Sequence, residues 1–220
     1  MIRELFRTSY RALLPLVYAR TNFKLFLKTS LTDLDARLQQ LAASSDYFSS
    51  TMRPIPIQAP FGRSMLVVAP HQDDEAIGCG GALALQVRAK ASAYVVMLQD
   101  GADGHDDLGF ERQALTDLRN EESRRSAAAI GMEPPKFLNH ADLVADSVQA
   151  AGEVRSILME RRVDAVFVPF FLDAHPDHRT ANYILADALG GIGWDVRVFC
   201  YEVWGLTFPN VILVIDDVMD

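Results

Sequence analysis

Cysteine is nearly absent from this chain of 220 residues: only Cys79 and Cys200 occur, far apart and without C-x-x-C spacing. That excludes a disulfide framework and a thiolate zinc site, and makes a reducing cytoplasm the expected location. Long apolar runs are missing too. The longest uncharged apolar stretch near the amino terminus, 12–19, is interrupted by Pro15 and closed by Arg20. It is far too short to span a bilayer, and no small-x-small cleavage site follows it as a secretory signal requires. The body holds no sustained Lys/Arg cluster and the formal charge is −8, so nucleic acid has no electrostatic footprint to meet. A small, neutral or locally polar substrate fits better. Internal repeats, heptads and low-complexity tracts are also lacking.

What is present is a chain half hydrophobic, enough for one sizeable core with an appendage. The first 30 residues carry Arg3, Arg7, Arg11, Arg20, Lys24 and Lys28 against Glu4, a local charge of +5 that leaves −13 for the rest. This reads first as a basic, solvated helical arm and second as a peripheral contact with an anionic membrane or carrier. Leucines 31, 34, 38 and 41 line one face of an amphipathic helix, with Thr32 placed to cap it and Asp35 three residues on. The following "SSDYFSSTMRPIPIQAPFG" is polar and then proline-rich, as a linker wrapping onto a body would be. The division is therefore an arm with its linker over 1–63 and a domain over 64–220.

From there apolar strands alternate with helical patterns. Strands are predicted at 65–69, 94–98, near 137, and at 164–169, 196–203 and 211–215. Helices are predicted at 76–90, 110–130 and 144–162 and after His178. The fold class is α/β, Rossmann-like: a mainly parallel sheet with helices on both faces, preceded by the helical arm. Ligands of such sheets bind beyond the carboxyl ends of the strands.

Two segments at such ends carry the chemistry. "VVAPHQDDEAIGCGG" runs an apolar strand into His71, Asp73, Asp74 and Glu75; about a hundred residues on, "PFFLDAHPDHR" supplies Asp173, His175, Asp177 and His178. Brought to one edge, His71, Asp74 and His178 make a two-imidazole, one-carboxylate set that leaves a coordination position open for water. A site open in this way is catalytic rather than structural, and iron(II) is among the divalent cations that would fill it. Asp73, unligated beside the metal, is then the candidate general base. His175 is placed to stabilise an oxyanion or protonate a leaving nitrogen, with Asp173 or Asp177 to hold its tautomer.

Plainer readings apply elsewhere. Cys79 reads as a small buried residue rather than a nucleophile. Glu75 at a helix start opposes the dipole. The glycines of "GCGG" fail the dinucleotide spacing and instead let a helix pack close to the sheet. "QDGADGHDDLGF" does not match a calcium loop and reads as a mobile lid at the mouth of a cleft. His140 follows a short strand without a partner of defined spacing and reads as a bystander. The pattern His71-x-Asp73 with a distant histidine also fits a two-histidine, one-carboxylate iron(II) oxygenase, and a non-catalytic sugar- or glycolipid-binding module with a disused site is the third alternative.

The residues resemble a known family, the zinc-dependent N-deacetylases related to N-acetylglucosaminyl-phosphatidylinositol de-N-acetylase, the PIG-L or LmbE-like family. The resemblance rests on "APHQDDEAIGCGG", "RNEESRRSAAAIG" at 119–131, "PFFLDAHPDHRTAN" at 169–182 and "YEVW" at 201–204. It implies a Rossmann-like fold and hydrolysis of the acetamide of an N-acetylated amino sugar or glycoconjugate. By the same resemblance the ligands are His71, Asp74 and His178, the base Asp73 and the oxyanion-stabilising histidine His175. Asp177 matches the carboxylate that orients His175, Arg119 a substrate contact, and Asp142 a group approaching a sugar hydroxyl. Three features depart from the family pattern. Gln72 stands where proline is usual, the basic arm is no part of the common core, and the chain stops at "VIDDVMD", about where a last helix usually begins. A truncated end would expose an edge for a homo-oligomer.

Overall fold

The computed structural model describes residues 54–103, 105–204 and 209–219. The basic arm and the amphipathic segment at 31–41 lie outside the described residues.

The central strand explains the layering. β2 (Ser64–Ala69) is buried along its whole length. Its period-2 alternation sends Leu66 and Val68 into one apolar cluster and Met65, Val67 and Ala69 into another. Both faces are therefore covered. α1 (Asp74–Arg88) closes the second face with Cys79, Ala82 and Leu83. The first face is covered by α4 (Ser147–Glu160), through Ala150, Val154 and Leu158, and by α5 (Pro176–Ala188), through Ala181, Ile184 and Leu185.

The remaining strands are β3 (Ser92–Gln99), β4 (Lys136–His140), β5 (Ala165–Pro169) and β6 (Arg197–Tyr201). They form one five-stranded sheet in the order β4-β3-β2-β5-β6, every pair parallel. The chain steps outward from β2 to β3 and β4, then returns to the other side for β5 and β6. The reversal lies between β2 and β5, so the loops leaving these two strands diverge and open a crevice. Both histidine-bearing segments leave from that point. Between β3 and β4 run the one-turn α2 (His105–Leu108) and the long α3 (Arg112–Ala129). Among the described residues no helix is long and apolar enough to cross a membrane.

The structure departs from the sequence reading at several ends. The proline-rich stretch contains β1 (Ile55–Ile57), which pairs in parallel with β7 (Val211–Leu213) in a separate two-stranded sheet. The last predicted strand therefore does not extend the main sheet. A two-stranded ladder leaves one side of β1 unpaired, so Pro56, which lacks an N–H, is tolerated there. Phe61, just downstream, is buried against Phe167 and Phe199. The helix predicted after His178 begins two residues earlier, because Pro176 fits a first helical turn and His175 caps it. The acidic loop after β3 is anchored rather than free where it starts: buried Asp100 accepts from Ala102 N and pairs with Arg112 at 2.7 Å.

The glycines of α1 divide in two. A Cβ on Gly78 would stand 2.2 Å from the Tyr201 ring, and one on Gly81 2.7 Å from Ile215, whereas Gly80 faces open space. Tyr201 cannot withdraw cheaply, since its buried hydroxyl donates to Val68 O at 3.1 Å. Gly78→Ala is expected to lose about 1–3 kcal/mol of stability through overpacking. Gly80→Ala is expected to gain up to about 1 kcal/mol from helix propensity. Urea titration of the two variants beside the parent measures both.

Candidate functional site

The crevice collects its polar groups from two helix starts. β2 ends at Ala69, and His71 and Gln72 turn the chain before Asp73, which stands at the N-cap of α1 with φ 106° and ψ −30°. A non-glycine residue held there is strained, and such strain persists only where the surroundings fix it. β5 ends at Pro169, and Asp173 to Asp177 lead into α5, whose first turn carries His178.

The two segments meet. One oxygen of Asp74, Oδ2, lies 3.2 Å from Nδ1 of His71 and 3.3 Å from Nε2 of His178, and also accepts the His71 backbone N–H at 2.9 Å. The far nitrogen of each ring stands beside another carboxylate. His71 Nε2 is 3.2 Å from Asp177 Oδ2, and His178 Nδ1 is 3.3 Å from Asp173 Oδ2. His175 joins the group: one nitrogen from each of His71, His175 and His178 falls within 4.8 Å of the other two.

This donor set fits a divalent cation. Atoms bound about 2.1 Å from a tetrahedral ion stand roughly 3.3–3.4 Å apart, close to the spacing of Asp74 from both imidazoles. His178 is fully buried, and neither of its ring nitrogens attains hydrogen-bond geometry despite the nearby carboxylates. An orphaned buried nitrogen is costly unless something else engages it. Among the described residues the nitrogens of His71, His175 and His178 form the group that could hold a metal ion, with the Asp74 oxygen shared between two of those rings and Asp177 and Asp173 beside their far nitrogens.

Charge follows the same geometry. Burial opposes the imidazolium of His71, but Asp177 and Asp74 outweigh it and raise its pKa to about 9. In His178 burial is likewise overcome, by Asp173 and Asp74, and its pKa also rises to about 9. The Asp74 carboxyl is held well below the usual range because His178 and His71 more than offset its burial. Its neighbour behaves oppositely: burial and then the Asp74 charge push Asp73 up, while Arg119 and the imidazoles pull it down. Asp73 is exposed and Asp74 is 1 % exposed, so two adjacent carboxylates occupy different environments.

His175 differs from the other two rings. Its Nδ1 accepts the Asp177 backbone N–H at 3.3 Å. Because that N–H can only donate, the ring proton of a neutral His175 resides on Nε2. Burial and the two neighbouring histidines lower its pKa.

Three residues named from sequence are placed differently from that reading. The Asp177 carboxylate sits 3.2 Å from His71 and 3.6 Å from His175, so the backbone of Asp177 sets the His175 tautomer while its side chain serves His71. Asp173, fully buried, serves His178 rather than His175, and also accepts from His175 N and Trp204 N. Asp142 is not brought to the cluster by any contact among the described residues; its Oδ1 accepts from Val144 N and Ala145 N in the turn after β4. Arg119, by contrast, faces Asp73 across a cleft of about 240 Å³ that Gln72, Glu75, Glu122 and Ser123 also line. His140 is a structural clamp, its two nitrogens 3.1 Å from Asp146 and 2.7 Å from Glu153. Cys79 is buried and its thiol pushed well up by burial, which removes it as a nucleophile.

The model of the PIG-L family, GlcNAc-PI de-N-acetylase, matches residues 66–189, more than half of the chain and both arms of the crevice. The chain belongs to this family. It is 28% identical over 143 residues to a diacetylchitobiose deacetylase of Thermococcus kodakarensis, covering 62% of this chain and 54% of that protein. It is 27% identical over 185 residues to a 1D-myo-inositol 2-acetamido-2-deoxy-alpha-D-glucopyranoside deacetylase of a Mycobacterium species, covering 70% and 60%. This PIG-L chain thus spans about half the length of the first relative and three fifths of the second. Among solved structures, N,N'-diacetylchitobiose deacetylase from Pyrococcus horikoshii superposes with a TM-score of 0.60 at 23% identity, covering 86% of this chain and 77% of that one. That likeness carries the fold alone.

The role of Asp173 was open in the sequence because "DAHPDH" offers two aspartates to two histidines within six residues. Only the turn into α5 assigns each to its ring.

The raised values of His71 and His178 fix a pH dependence for the metal-free PIG-L chain. Imidazolium attraction to the three carboxylates is fully present below the unfolded histidine value near 6.5 and is lost as pH rises through about 9. The melting temperature of metal-free protein is therefore expected to fall between pH 6.5 and 9. A cation must displace these protons, so binding at pH 7 should release about two and weaken as pH drops. Calorimetry in buffers of different ionisation enthalpy counts them.

Proposed function

We propose that this chain is a metal-dependent hydrolase that removes the acetyl group from an N-acetylated amino sugar or glycoconjugate, with zinc as the working ion. The observation that carries the reading is the sharing of one Asp74 oxygen between nitrogens of His71 and His178, with the exposed Asp73 carboxylate alongside. Family membership gives the reaction class, and the names of the relatives give the substrate class.

When bound, the ion supplies Lewis acidity that makes a water nucleophilic and polarises an amide carbonyl. The other roles fall to side chains. Asp73 accepts the proton of the attacking water, and its environment, partly desolvated and beside a second carboxylate, makes it a better base than an ordinary aspartate. The water oxygen bonds to the carbonyl carbon, the carbon–nitrogen bond breaks, and the proton passes to the departing nitrogen, giving acetate and a free amine. His175 presents Nε2–H to the oxygen on which negative charge develops. Arg119, across the cleft from Asp73, binds the polar part of the substrate and limits how far the Asp73 pKa rises.

The exposed Asp73 carboxylate beside the buried Asp74 weighs against a disused binding module, because holding a metal or a sugar needs no base. Family membership weighs against an iron(II) oxygenase.

Asp73→Asn is expected to keep its metal and lose turnover by roughly 10²–10⁴-fold, as removal of a general base does. Free amine released from a panel of N-acetylated sugars, with and without chelator, measures the first effect and the need for an ion. His178→Ala is expected to lose the metal, read by elemental analysis. Parent-rate hydrolysis by Asp73→Asn would overturn the mechanism, and unchanged metal content in His178→Ala would overturn the ligand set.

A further inference from the structure

We infer that Gln72 is a positioning residue for Asp73: its buried amide ties the loop after β2 to the end of β3 and to α3, and so holds Asp73 in its positive-φ conformation. The inference rests on reading Asp73 as the proton acceptor.

Strain at Asp73 needs restraint on both sides. On the far side it is local: Asp73 O accepts from Ala76 N and Ile77 N at 2.9 Å each, and Asp73 N donates to Glu75 Oε2 at 3.0 Å. On the near side it is long-range. Gln72 Nε2 donates to Asn120 Oδ1 at 2.8 Å, 48 residues away, and to Gln99 O at 3.3 Å, 27 residues away. Gln72, Gln99 and Asn120 are each at most 5 % exposed. Asn120 passes the restraint on, donating to Asn139 Oδ1 at 3.2 Å on β4. The residue entering Asp73 is thereby tied to β3 and α3 rather than to α1.

Two details separate this from a glutamine that merely fills space. Its Oε1 is buried without a hydrogen-bond partner, so an apolar side chain of equal length would fill the same volume without that cost. What only the amide provides is the pair of bonds from Nε2. The neighbouring loop also leaves room for the amide: residue 101 is glycine at φ 67°, and a Cβ there would lie 2.0 Å from Oε1.

The test uses the full chain. Gln72→Met keeps the length and removes both donors. A crystal structure of the variant is expected to show Asp73 relaxed out of positive φ. With zinc bound, kcat is expected to fall at least about tenfold while KM and zinc affinity stay within about twofold, the pattern of a displaced catalytic group. Asn120→Leu breaks the bridge from the other end and should give the same loss, and it serves if Gln72→Met does not fold. The double variant should be no slower than either single one. Positive φ at Asp73 retained in Gln72→Met, additive losses, or zinc affinity falling in step with kcat would each overturn the inference. The backbone conformation needs no turnover to observe. A fully active Asp73→Asn would therefore defeat the proposed mechanism while leaving the positioning result readable.

Discussion

Everything at this site depends on one carboxylate oxygen compensated from two sides. Asp74 is buried beside Asp73 and Glu75, and a charge in that position is untenable without opposite charge at contact distance. His71 and His178 supply it at 3.2 and 3.3 Å, as protons in the metal-free protein or as nitrogen donors around a shared cation. The outer carboxylates are stabilised through the same rings: the Asp177 carboxyl is lowered chiefly by His71, and that of Asp173 by His178 against its own burial. Removing either imidazole would take counter-charge from two carboxylates at once, Asp74 and the outer partner of that ring.

The parallel sheet makes this convergence possible. β2 and β5 are hydrogen-bonded neighbours, so the loops after them start side by side, although 106 residues separate His71 from Asp177. The chain reversal at that point keeps a third strand from filling the space between the loops. Helix starts then contribute twice, with α1 presenting Asp74 in its first turn and α5 presenting His175 at its cap. Close seating of α1 against Tyr201, permitted by Gly78, keeps the first of these in register with the sheet.

Division of labour between neighbours follows from burial rather than residue type. Asp73 and Asp74 are chemically identical and adjacent, yet the helix start turns one outward to the cleft and the other inward to the histidines. In the proposed mechanism that separation is what lets a single turn furnish both a ligand and a base. It requires backbone strain at Asp73, and the buried amides of Gln72, Gln99 and Asn120 beneath the loop are where such strain is restrained.

The alternation of apolar strands with amphipathic helices already determined a mainly parallel, doubly covered sheet, because burial on both faces leaves a period that can be read without coordinates. His71, Asp73, Asp74, His175 and His178 were legible for a similar reason: ionisable side chains set directly after apolar strands are costly there unless they meet one another or a cation. Pairing was not legible. Two aspartates within reach of two histidines in "DAHPDH" are equivalent on paper, and only the turn into α5 gave Asp173 to His178 and Asp177 to His71. The destination of the last strand, the turn-capping duty of Asp142 and the bridge from Gln72 to Asn120 are likewise products of tertiary structure. Each depends on which groups meet in the folded chain, most of them across dozens of residues, and local pattern carries no information about a partner that distant.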